Sequence, residues 1–297
     1  MTIKLVECVP NFSEGKRKDI IEAIVDQVRN TDGVVLLDYA PDADHNRTVV
    51  TFVGNPEAAV EAAFNLAKKA AELINMEEHK GEHPRMGATD VIPFIPVSEM
   101  KMEECVVLAE NLGERIAKEL KIPVYLYESA ARKSKRRNLA TIRRGEYEGF
   151  KDKIKKEEWA PDFGDAKLHP TAGATVVGAR PFLVAYNVNL DTSDIKIANR
   201  IAKKVRESSG GLTNVKGMGV MLEDRNIAQV SMNLTNYKKT AIYRAFEMIK
   251  MEARRYGVNV LGSEIIGLLP MDALIDSAAY YLQLEGFKKD QILEKRI

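Results

Sequence analysis

Cysteine, histidine and tryptophan are scarce in this chain of 297 residues, which carries 2, 4 and 1 of them. Cys8 and Cys105 stand far apart in mostly apolar settings (LVECV and EECVVLA), with no second cysteine at metal or redox spacing. Buried free thiols are therefore expected rather than a thiolate metal site or a disulfide framework. No uncharged apolar run approaches ~18 residues and no charged-then-apolar pattern opens the chain, so neither a spanning helix nor export is expected, and the cytoplasm follows by default. An excess of one charge is also missing, since 44 basic residues face 43 acidic ones. No global field draws in nucleic acid or an anionic membrane, and any electrostatic function must be local.

What is present suffices for a packed core, at 45% apolar and 29% charged residues, and the length leans towards two domains. IKLVECV reads as a strand broken by PNFSEG, where Ser13 is a plausible helix cap. Ile20, Ile21, Ile24, Val25 and Val28 then recur at helical spacing. VVLLDY and TVVTFVG read as two strands, and Asn55-Pro56 opens a helix with a stripe from Val60 to Ile74. Pro93 and Pro96 make VIPFIPV an irregular or edge strand at best. A helix from about Met102 to Leu120 and the strand PVYLY follow. The Gly- and Pro-bearing stretch from Trp159 to Arg180 is the best candidate for an interdomain connection. Beyond it, PFLVAYNVNL, a helix near 193–207, the strands VMLED and IAQVSMNL, and a helix near 238–256 echo the first half. The boundaries expected are 1–180 and 181–297, with two α+β sandwiches of similar plan.

The four histidines, His45, His79, His83 and His169, all lie beside Gly, Pro, Asn or charged residues. HKGEHPRMGATD, from His79 to Asp90, is the richest stretch. On a helix, His79 and His83 would share a face and bind zinc with Glu82 nearby. Gly81 and Pro84 break that helix, and no third ligand follows, so metal is not expected. A plain polar loop and a catalytic loop remain. For the catalytic one His83 is the better candidate, because an imidazole titrates near neutrality, Pro84 restricts its backbone, and Arg85 could fork onto an anionic group. His79 reads as a helix-end residue; around His45, Asn46 and Arg47, a turn shaped by Asp44 or Asn46 with Arg47 in a structural ion pair is expected at least as much as ligand binding. HPTAGATVVGAR lacks the phosphate-loop and dinucleotide spacings but can still cradle an anionic or planar ligand. The basic run Arg132 to Arg137 reads as a solvated charged helix end without the aromatic interleaving of a nucleic-acid site.

Taken together, VECVPNFSEG, NRTVVTFVG, HKGEHPRMGATDVIPFIP, PVYLY, WAPDFG, GATVVGAR, AQVSMNL and GSEIIGLLP, in this order along nearly the whole chain, resemble the glutamate formiminotransferase family. The resemblance implies two ferredoxin-like α/β sandwich subdomains facing each other across a ligand tunnel, in a homodimer. It implies transfer of a formimino group between N-formiminoglutamate and tetrahydrofolate, in histidine breakdown, with tetrahydrofolate as co-substrate and no resident metal. By the match to the family's EHPRMG motif its catalytic residue is His83. The folate-contacting loop maps onto Gly164, Asp165, Ala166, Lys167, Leu168, His169, Pro170, Thr171, Ala172 and Gly173. Bifunctional animal members carry an aromatic residue where Ala172 stands and a second, cyclodeaminase domain; release of ammonia is then expected from another protein. Three other readings stay open beside this one: formyl transfer or 5-formyltetrahydrofolate metabolism at the same site, a zinc-dependent hydrolase built on His79 and His83, and a folate carrier without turnover. The substrates' carboxylates call for cations, for which Arg47, Arg85, Lys167 and Arg180 are the candidates.

Overall fold

The computed structural model describes residues 4–43, 45–81 and 84–296. The chain divides into two compact units, Met1–Arg180 and Pro181–Ile297.

The first unit carries β1 (Leu5–Cys8), β2 (Asn11–Phe12), α1 (Lys18–Arg29), β3 (Val34–Asp42), β4 (Arg47–Gly54), α2 (Pro56–Leu73), β5 (Thr89–Ser98), α3 (Met102–Arg115), β6 (Val124–Glu128), α4 (Leu139–Arg143), α5 (Glu146–Lys153) and β7 (Thr175–Ala179). Its seven strands form one mixed sheet. β1 and β2 occupy the same lane, each antiparallel to β4 on one side and β5 on the other. β3 extends the antiparallel side beyond β4, while β7 and then β6 continue in parallel beyond β5. Alternation along the strands sorts side chains to two faces. Val6, Cys8, Val50, Phe52, Ile92, Phe94, Val124, Leu126 and Val177 pack with the apolar stripes of α1, α2 and α3. The intervening Val91, Tyr125, Tyr127 and Val176 pack on the other face with Ile142, Phe150, Ile154 and Trp159.

Several sequence expectations change here. VIPFIPV is not an edge strand but the centre of the sheet. The Pro93 carbonyl accepts from Val9 N at 3.3 Å, so the missing N–H of Pro93 faces the break between β1 and β2, where no ladder partner waits. Pro96 lies where the pairing with β1 shifts register, the other place a strand proline is tolerated. The stretch 159–180 is no interdomain connection: it ends in β7, all of whose residues are buried. Its glycines and prolines mark the loop before that strand. Ser13 does not cap a helix, for its hydroxyl donates to the Gly87 carbonyl at 2.8 Å. The Glu14 carboxylate instead accepts from Lys16 N and Arg17 N, both at 2.9 Å, ahead of α1. Asn55 and Pro56 open α2 as expected, with the Asn55 side chain accepting from Ala58 N.

The basic run 132–137 also differs from a solvated helix end. Arg136 is fully buried, donating to Asp162 at 2.9 Å and to the carbonyls of Ala160 at 2.6 Å and Glu158 at 3.2 Å. Its guanidinium stacks over Tyr125 and Trp159.

The second unit carries β8 (Val184–Leu190), α6 (Ile195–Val205), β9 (Val215–Leu222), β10 (Ile227–Leu234), α7 (Ile242–Arg254), β11 (Val260–Ile266) and α8 (Met271–Tyr281). Its sheet is antiparallel in the order β11, β8, β10, β9. Through its first six elements this is a βαββαβ chain whose fourth strand lies beside the first. The same succession, β1/β2, α1, β3, β4, α2, β5, builds the antiparallel side of the first unit, so the echo of two halves is topological. Val184, Tyr186, Val188 and Leu190 alternate onto α6 and α7 with Ala228, Val230, Met232 and Leu234. The opposite face is mixed, with Asn187, Glu264, Asn233 and Lys216 among Met218, Val220 and Ile266, and Gln229 donates there to the Asn189 side chain at 2.8 Å. No described helix is long and apolar enough to cross a membrane.

Candidate active site

His83 and Glu82 lie outside the described residues, so the catalytic expectation for His83 is approached through the segments flanking it. On one side, His79 is half-buried and both of its ring nitrogens are engaged. Nε2 faces the Asn46 carbonyl at 2.8 Å and Nδ1 accepts from Arg85 Nε at 3.2 Å. This fixes the neutral tautomer protonated on Nε2 and leaves no lone pair for a metal. Burial pushes the imidazole below its ordinary pKa, and the neighbouring Arg85 charge pushes the same way. His79 is thus bonded to the β4 entrance, not to helix-end carbonyls. A hollow of about 330 Å³ opens beside it, lined among others by Glu14, Lys16, Asn46 and Asn75.

On the other side, Arg85 is buried and its fork is taken. It donates to Glu148 at 2.7 and 2.9 Å, to Glu146 at 2.8 Å and to the His79 carbonyl at 3.2 Å. The fork expected for an anionic substrate therefore holds α5 against the 79–90 segment. Asp90, almost fully buried, makes a second tie: one oxygen accepts from Met86 N at 2.8 Å and the other from Arg143, the last residue of α4. A bulge aims it. Asn11 opposes Val91 and Phe12 opposes Thr89, leaving Asp90 without a partner across the strand pair.

The expected folate loop is built onto this same segment. Ala88 N donates to the Ala172 carbonyl at 2.9 Å and Ala174 N to the Met86 carbonyl at 3.1 Å. Gly87 and Gly173 form a bridge in which only glycine fits. A Cβ on Gly87 would stand 2.2 Å from the Ala174 carbonyl oxygen, and one on Gly173, at φ +72°, 2.3 Å from that of Met86. Within the loop His169 is structural: its Nδ1 accepts from Ala172 N at 3.0 Å and Thr171 N at 3.3 Å. Burial pushes its pKa down as well. Ala172 is fully buried and Leu168 packs on the core, whereas Gly164, Asp165, Ala166, Lys167 and Pro170 are exposed. Two segments picked out separately in the sequence are thus hydrogen-bonded neighbours.

Sequence reasoning named Asp90 within the richest stretch but missed Asn11, Arg143, Glu146 and Glu148 as parts of this site. The bulge at Asp90 and the reach of α4 and α5 leave no local pattern, and only the acidity of a segment opposite HPRMG could have pointed to the glutamates. Among the described residues no cluster of three or more His, Cys, Asp or Glu side chains converges.

The pattern of the formiminotransferase domain, N-terminal subdomain, matches residues 5–180, and that of the formiminotransferase domain matches residues 185–296. A glutamate formimidoyltransferase from Streptococcus pyogenes is 56% identical over 99% of both chains. One from Thermoplasma acidophilum is 53% identical over 99% of this chain and 98% of its own. The mouse formimidoyltransferase-cyclodeaminase is 50% identical over 95% of this chain but only 53% of its own length. With both units matched and identity sustained from end to end, the chain belongs to the formiminotransferase family.

Proposed function

We propose that this protein is an enzyme transferring a formimino group between N-formimino-L-glutamate and tetrahydrofolate, giving 5-formiminotetrahydrofolate and L-glutamate, a step of histidine degradation. The observation that carries this reading is the full-length identity to proteins named for that reaction. The hydrogen-bonded junction between the EHPRMG segment and the 164–173 loop supports it. Tetrahydrofolate acts as co-substrate and no resident metal takes part. N5 of the folate attacks the amidine carbon; the tetrahedral intermediate collapses once the glutamate nitrogen gains a proton. His83 supplies that proton, a general acid–base contribution of about 10²–10⁴-fold. The rest comes from holding two substrates in line. The exposed residues Gly164, Asp165, Ala166, Lys167 and Pro170 receive the folate, while His169, Thr171, Ala172 and Gly173 shape the turn beside them. Ferredoxin-like sandwiches lining a ligand tunnel, a homodimer and a cytoplasmic location complete the reading, each supported by the family resemblance.

Donor preference tests it. With tetrahydrofolate as acceptor, the purified protein is expected to turn over N-formiminoglutamate faster than N-formylglutamate. The reverse order would make it a formyl transferase, and folate binding without glutamate-dependent turnover would make it a carrier.

A further inference from the structure

Arg47, the first residue of β4, is a half-buried cation. Among the described residues no carboxylate lies within ion-pairing distance of it. Its one hydrogen bond is a long one, Nη1 to the Asn11 side-chain oxygen at 3.4 Å. Its Nε is buried with no acceptor. Burial pushes its pKa down and the charge of Arg143 adds to that push, against the weaker pulls of Asp42 and Asp90. Arg143 has one donor on Asp90, and its own Nε is likewise buried without an acceptor. Asp90 can do little more, because its other oxygen is held by Met86 N.

Register brings these groups to one place. Asn11 opposes Val49 on β4 and Val91 on β5, so Asn11, Arg47 and Val49 share a sheet face with Val91, which packs beneath α4 and α5. Two guanidiniums with idle buried donors, facing Asp90, which Arg143 and Met86 N already engage, and Asp42 only beyond ion-pairing distance, leave donor capacity for an anion. Buried donors in that condition cost stability unless a ligand supplies the acceptors. The site is tied through Asp90 to Met86, three residues after His83 in the chain.

Resting on the formimino-transfer reading, we infer that Arg47, with Arg143 beside it, is the anchor for the α-carboxylate of the glutamate-derived substrate. The choice between the substrates follows from their chemistry. In N-formiminoglutamate the reacting nitrogen sits on the carbon that bears the α-carboxylate. The carboxylates of a folate lie beyond the aminobenzoyl ring from N5. An anion site tied through Asp90 to Met86, close in the chain to His83, therefore suits the first.

Arg47→Gln tests this. The KM for N-formiminoglutamate is expected to rise about 10- to 100-fold, the scale of one charge-assisted hydrogen-bond pair, with the KM for tetrahydrofolate within about twofold. Thermal stability should hold or rise, since a half-buried guanidinium with an idle buried donor is removed. Added L-glutamate should raise the melting temperature of the parent and not of the variant. An unchanged KM for N-formiminoglutamate in a folded variant overturns the assignment. A measurement on the parent protein needs no variant: the α-carboxamide analogue should be a poorer substrate by the same factor, and equal use of acid and amide also overturns it. Absence of formimino transfer in the parent would instead remove the functional reading itself.

Discussion

Arg85 makes more directed contacts than any ordinary surface cation, and its replacement should show it. Arg85→Ala leaves the His79 carbonyl and ring nitrogen unanswered and frees two glutamates, so a loss of about 3 kcal/mol is expected. By denaturant melting this should exceed Glu148→Gln, because Glu148 is 65% exposed in its side chain and Glu146 remains as a partner. His79 makes a pH forecast. Its folded pKa is depressed, so between that value and the ordinary one the unfolded chain binds more protons. Its contribution is complete above about pH 6.5 and is lost as pH falls through the folded value. The gap in melting temperature between the parent and His79→Gln should therefore narrow on acidification from pH 7.5 to 5. The importance of the HPRMG stretch was legible from its residue types. The occupant of the Arg85 fork was not, because Glu146 and Glu148 lie 61 and 63 residues away.

At the scale of elements, α4 and α5 form an arm that closes one face of the sheet and braces the candidate site through Arg143 and Arg85. Lys153 holds the arm together, donating to the carbonyls of Thr141, Ile142 and Arg144 at 3.1, 2.7 and 3.0 Å at the end of α4. Burial, with the charges of Arg144 and Arg136 added, pulls its pKa down to about 8. Arg136 anchors the base of the arm. Arg136→Met, which strands the buried Asp162 carboxylate, should cost at least about 3 kcal/mol. Arg132→Ala and Lys135→Ala, whose ion pairs are exposed, should cost about 0–1 kcal/mol each. Comparable losses at all three positions would return the run to the uniform charged surface that composition suggests. The helices with clear stripes, α1, α2, α3, α6 and α7, were legible because periodicity reports a half-buried element. α8 buries only Ala273, and β7 hides behind glycines and prolines that belong to its preceding loop, so neither announces itself.

The whole molecule pairs two copies of one βαββαβ plan in a chain whose formal net charge is +1. With so little global charge, attraction of dianionic substrates must come from places such as Arg47 and Arg143, and rates should depend on ionic strength only modestly. The proposal that no resident metal takes part makes a separate forecast: dialysis against a chelator leaves turnover unchanged, whereas the zinc hydrolase alternative loses it. The central proposal is general acid–base transfer by His83. Its most direct test is formimino transfer from N-formiminoglutamate to tetrahydrofolate at saturating substrates, comparing the parent with His83→Ala. A fall in kcat of about 10²–10⁴-fold with folate binding retained is the predicted result; near-parental turnover by the folded variant would contradict it.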